Sequence, residues 1–133
     1  MTGHDTDELL DAFFAAIEHG DIDAVTDFYD DDITVWHNVT GNALDKRDSL
    51  GLLRYWSRSV RAMRYEILER RTFQGGAVQR HVVHGEAGGE TIAAQVAILF
   101  HIADGQITAI YEYLDPAHVA AVFGQPSPSV ERS

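Results

Sequence analysis

The stretch FFAAIEHGDIDAVTDFYDDDITVWHNVTG, residues 13–41, passes from helix to strand within a few turns. Leu10, Phe13, Phe14 and Ile17 recur at helical spacing, and Thr6-Asp7-Glu8 offers a cap ahead of them. His19-Gly20 ends this helix with a cation near its C-terminus and a glycine for a left-handed cap. Val25, Phe28 and Tyr29 mark a second, shorter helix. Three aspartates then lead into Ile33–His37, a β-branched strand in which Ile33, Val35 and His37 share one face. It closes on Trp36-His37-Asn38, where a solvated strand end would carry Lys, Thr or Ser. An indole, an imidazole and an amide in a row raise the question of a site wall.

Downstream, Leu50, Leu53, Trp56 and Val60 form one stripe of a third helix over about 45–60, preceded by a loop with a turn at Gly41-Asn42. Four strands follow, at 64–73, 77–84, 91–102 and 107–114, joined at Gly75-Gly76, GEAGGE and Asp104-Gly105. A short helix over 117–123 and a tail over 124–133, expected to be disordered, complete the chain. Helices, a strand, a helix and four hairpin-linked strands predict an α+β fold, a curved and mostly antiparallel sheet with three helices on one face. The expectation is one domain over 1–133, with an ordered core of about 6–123.

Composition narrows the function. Hydrophobic residues make up 45% of 133 residues and charged residues 23%, ordinary for a globular chain. No apolar run is long enough to span a membrane, and the first residues carry no secretory pattern, so a cytoplasmic location is expected. No cysteine is present, which excludes disulfides, thiol nucleophiles and cysteine zinc sites. The net charge of −11 repels phosphate backbones and anionic lipid, so neither nucleic acid nor membrane is an expected partner. A small apolar molecule is. Arg54, Arg58, Arg61, Arg64, Arg70 and Arg71 cluster in one segment, interleaved with apolar residues, and read as a solvated helix face and strand edge.

FFAAIEHGDIDAVTDFYDDDITV, the Trp-containing helix and the ending FHIADGQITAIYEYLDP together resemble the nuclear-transport-factor-2-like superfamily, nearest to its SnoaL-like polyketide cyclases and ketosteroid isomerases. The resemblance spans residues 7–123. It implies a cone, with a bent sheet around one open-ended pocket, and a homodimer through the outer sheet face. Fold alone does not fix the chemistry in this superfamily. The resemblance also implies roles. The isomerase's proton-shuttling aspartate falls on His37, its oxyanion tyrosine on Phe13, and its protonated aspartate near Ile98. This chain lacks both oxyanion groups, so isomerisation by that route is not expected.

Several side chains could carry chemistry. His37 can exchange a proton near neutral pH, and otherwise reads as a strand-end histidine bonded to backbone. Glu112 shares a strand face with Ile110 and Leu114, and a carboxylate between aliphatic residues needs a partner, either His37 or an arginine. A His37–Glu112 pair would orient the imidazole and raise its basicity. Gln79 and His81 share one face of 77–84, with Arg80, Val82 and His84 on the other, and alternation leaves the inward face open. His37, His81 and Glu112 could form a two-histidine, one-carboxylate set, but no metal and no cofactor is expected. Trp56 reads as core or pocket mouth, and Trp36 as packing behind the wall. Asn38-Val39-Thr40 matches a glycosylation sequon without the context for it.

The leading expectation is a small isomerase, cyclase or lyase acting on an apolar carbonyl compound. His37 takes the proton, Glu112 orients it, and His81, Gln79 or Asn38 donates to the enolate oxygen. Phe13, Trp56, Ile98 and Leu114 would line the ligand. A non-catalytic binding module is the alternative. A third reading is epoxide opening, which needs an arginine held between acids, with Arg80 and Asp115 the available residues.

Overall fold

The chain enters helix α1 (Gly3–Glu18) through Thr2, whose hydroxyl accepts from the Asp5 amide while Asp5 accepts from the Thr2 amide. This reciprocal cap starts the helix one turn earlier than Thr6-Asp7-Glu8 suggests. Thr6 instead lies buried within α1, its hydroxyl donating to the Thr2 carbonyl. The fold was obtained as a computed structural model and describes residues 2–124, so the expected tail beyond Gly124 lies outside the described residues.

Helix α2 (Ile22–Phe28) stops before Tyr29, which is the first residue of strand β1 (Tyr29–His37) rather than part of the helix. Three consecutive aspartates oppose strand formation, yet β1 begins there because its partners hold it. Lys46 Nζ donates to the Tyr29 carbonyl at 3.0 Å and to Asp31 Oδ1 at 2.9 Å, and Tyr29 pairs with Ile107. Strand β2 (Ala43–Leu44), in a segment expected to be loop, pairs with Val35 and Trp36. Helix α3 (Lys46–Ser59) is capped by Asp45, and strands β3 (Arg61–Phe73), β4 (Gly76–Ala87), β5 (Glu90–Ala103) and β6 (Gln106–Leu114) follow. A 3₁₀ turn (Pro116–Val119) and helix α4 (Ala120–Phe123) close the described chain.

The six strands form one sheet in the order β2-β1-β6-β5-β4-β3. Every pairing is antiparallel except β1 with β6, which is parallel and central. Register shifts in β3, one beside Ala62 at φ 55°, interrupt its pairing with β4. Such bulges strengthen twist and bend a strand, here curving the sheet around one side. Helix α1 packs on β3 and α3 on β1, which gives the α+β cone. Phe13 and Phe14 of α1 meet Phe100 of β5 edge-on at 5.9 and 6.0 Å. Among the described residues no helix is long and apolar enough to cross a membrane.

Gly76, the first residue of β4, pairs with His101 of β5. A Cβ there would run into the Phe100 carbonyl oxygen and lie 2.8 Å from the Phe73 ring. Backbone cannot yield as a side chain end can. Gly76→Ala is therefore expected to destabilise the protein by about 1–3 kcal/mol, read as a lower urea midpoint. An unchanged midpoint would show that the two strands separate freely at that point.

Candidate active site

Strand alternation and register assemble the site. Gln79 of β4, Ile98 of β5, Glu112 of β6 and His37 of β1 stand opposite one another in a single row across the sheet. Within that row His37 Nε2 lies 3.1 Å from Glu112 Oε1, with side chains 18% and 22% exposed. Nε2 is the nitrogen that faces the carboxylate, and His37 Nδ1 is buried without a partner.

Asn38 fixes the spacing of this pair. Its Nδ2 donates to the Leu114 carbonyl and its Oδ1 accepts from the Leu114 amide, both at 2.9 Å, while its own amide donates to the Glu112 carbonyl. The side chain thus continues the β1–β6 ladder past the strand end. Its Oδ1 and one of its two Nδ2 hydrogens are used on backbone, and Asn38, expected from the sequence as a donor to the ligand, is not among the residues that line the cavity. Asn38→Ala is expected to cost about 1 kcal/mol at this exposed position. It should also broaden the His37 and Glu112 side-chain signals in NMR spectra, and sharp, unshifted signals would contradict the clamp.

His37 and Glu112 open onto a cavity of about 400 Å³. Its wall is mainly apolar, with Trp56 and Leu53 of α3, Val83 and Val96 of the sheet, and Leu114. Phe123 of α4 covers one side, stacked on Trp56 at 5.8 Å and 13°. The Tyr55 hydroxyl donates to the Val122 carbonyl at 3.0 Å and ties α4 to α3. Tyr29 and Tyr65 also line the cavity, and the sequence reading did not single them out. Tyr29 shares the odd-numbered face of β1 with His37, a parity that could have found it. Burial, and then the charge of Glu112, pushes both phenols well above their ordinary range, so they stay protonated donors.

Gln79 and His81 face inward, which settles the open orientation of β4, but they lie in a separate buried network and not on the cavity wall. His81 is 1% exposed, packed edge-on against Phe14 and Tyr65. Gln79 Nε2 donates to His81 Nδ1 at 2.8 Å, and Arg70 Nε donates to Gln79 Oε1 at 2.7 Å. Arg70 Nη1 reaches out to Asp11 at 2.9 Å and Asp7 at 3.2 Å on α1. The arginine leaves Gln79 its amide to donate, and this puts the His81 proton on Nε2, which is buried without a partner. Burial, and then Arg70, pushes His81 down to about 4, against an opposing pull from Glu112.

Phe13 and Ile98 are buried in the core and do not line the cavity. The core contacts of α1 and β5 account for them. Arg80 points outward and pairs with Glu69, while Asp115 caps the terminal turn, so the two do not meet in a pocket. Trp36 lies on the outer sheet face, 5.1 Å from the Tyr113 ring. Among the described residues no three His, Asp or Glu side chains converge to hold a metal ion.

The model of the SnoaL-like domain matches residues 10–110. The chain belongs to the SnoaL-like family. No curated protein matches it significantly. Its structure is similar to that of a ketosteroid-isomerase-like protein from Catenulispora acidiphila solved with trimethylamine, with TM-score 0.78 and 19% identity over 92% of this chain and 97% of that one. It is also similar to a protein assigned as a SnoaL-like polyketide cyclase from Shewanella denitrificans, with TM-score 0.76 and 12% identity over 89% and 96% of the chains. An epoxide hydrolase of M. tuberculosis gives TM-score 0.72 and 22% identity over 90% and 87%. At these identities the likeness of the SnoaL-like chain to each is one of fold.

Proposed function

We propose that this SnoaL-like protein is a small enzyme of the isomerase, cyclase or lyase type that moves a proton at the carbon beside a carbonyl of an apolar molecule, using no cofactor. The observation that carries this reading is His37 Nε2 at 3.1 Å from Glu112 Oε1 on the wall of a largely apolar cavity. A C–H proton taken up by the His37–Glu112 pair leaves, within the pair, an imidazolium beside a carboxylate, whose charge stabilises it and orients the ring. The electrons left on carbon move onto the carbonyl oxygen. Tyr29 and Tyr65, both on the cavity wall, are the donors available to that oxygen, in place of the groups missing at Phe13 and Ile98. Return of the proton at another carbon, or after bond formation, completes the turnover and restores neutral His37.

Incubating the protein with a panel of apolar ketones in D₂O tests this directly. Deuterium entering beside the carbonyl faster than in buffer is the expected result, and no exchange in any ketone that binds would leave a binding module instead. Phe13 and Ile98, with no oxyanion group at either position, support that second reading. Pairing of two copies through the outer sheet face belongs to the same proposal, supported by Tyr113 and Val78 exposed there at 52% and 43%.

A further inference from the structure

Glu112 is the only acid on the cavity wall, and among the described residues no lysine or arginine lines it. One carboxylate oxygen, Oε1, faces His37, and no donor among the described residues engages Oε2. A half-buried carboxylate in apolar surroundings gains from a second donor or a cation. Four aromatic side chains, Tyr29, Trp56, Tyr65 and Phe123, line the same cavity, and aromatic rings attract cations over their electron-rich faces. The negative field of Glu112 is felt at both phenols, and the chain's −11 charge draws cations toward the protein from outside.

From this arrangement we infer that the cavity takes a ligand carrying an alkylated ammonium group, held between the Glu112 carboxylate and the aromatic rings, and discriminates against anions. The inference rests on the cavity being the ligand site of the proposed function, but not on proton transfer there. It assigns the two carboxylate oxygens separate tasks, Oε1 toward His37 and Oε2 toward the ligand nitrogen. It also adds a sign to the mainly apolar ligand: besides its apolar groups it carries a cationic or protonated amine, within a cavity of about 400 Å³.

Calorimetric titration with benzyltrimethylammonium, its neutral isostere neopentylbenzene and the anion benzenesulfonate separates charge from shape. The wild-type protein is expected to bind the cation at least about tenfold more tightly than the neutral isostere, and the anion not at all. Glu112→Gln should remove most of the cation's advantage over the isostere, keep the smaller part that the rings supply, and leave the isostere unchanged. His37→Ala should retain cation binding while losing deuterium exchange, so failure of the catalytic reading does not masquerade as failure of this one. Equal affinities for cation and isostere in the wild-type protein overturn the inference without recourse to any variant. So does binding of the anion, or a Glu112→Gln loss shared equally by cation and isostere.

Discussion

His37→Ala is expected to slow deuterium exchange beside the carbonyl of a bound ketone by about 10²–10⁴, the range a positioned general base supplies. The loss should fall on turnover and leave ligand affinity nearly intact, because the apolar wall that does most of the binding is untouched. Glu112→Gln should lose less, since the imidazole remains and only the stabilisation of its protonated form is removed. The double variant should be little worse than His37→Ala alone, as groups acting as a unit are not additive. Exchange in His37→Ala within a factor of a few of the parent would remove the imidazole from the chemistry.

The second large effect is on stability in acid. His81 is neutral in its buried network and is pushed down to about 4, from an ordinary value near 6.5. Between those two values the unfolded chain takes up a proton at this position that the folded chain refuses. Stability therefore falls as pH is lowered from about 6.5 to about 4, is fully present above that window, and loses on the order of 3 kcal/mol across it. His81→Gln keeps an acceptor for Gln79 but cannot titrate. Its unfolding free energy, measured by urea at successive pH values, should depend on pH with about one proton fewer than the parent. Parallel pH profiles for the two proteins would mean that the network reorganises to accommodate a charged His81.

Much of this architecture could be read from local pattern. The alternation of Ile33, Val35 and His37, and of Ile110, Glu112 and Leu114, put an imidazole and a carboxylate on the inner faces of two strands, and resemblance to a family suggested that those strands meet. What the chain did not disclose depends on partners far away in sequence. The inward face of β4 could not be chosen, since both faces carry apolar residues, Ala77 and Val83 on one and Val78 and Val82 on the other. Gln79 turns inward with Arg70, from the neighbouring strand, bonded to it and two acids on α1 bonded to Arg70, and His81 turns inward beside Gln79. Tyr29 looked like the end of a helix because the aspartates after it disguise a strand held by Lys46. Asn38 looked like a ligand-facing amide, and only the arrival of Leu114 beside it shows that the amide turns to backbone.

The parallel pairing of β1 with β6 also sets when the site can exist. Asn38 and Leu114 are 76 residues apart in the chain, and β6 enters the sheet between β1 and β5 rather than adding to an edge. The hairpins of β3, β4 and β5 can zip up locally, whereas this central contact must close a long loop first. On a growing polypeptide, the two halves of the cavity remain strangers until the last strand has been made. The imidazole and the carboxylate are then joined in the closing step of folding, and a chain cut short before Leu114 would hold the first without the second in place.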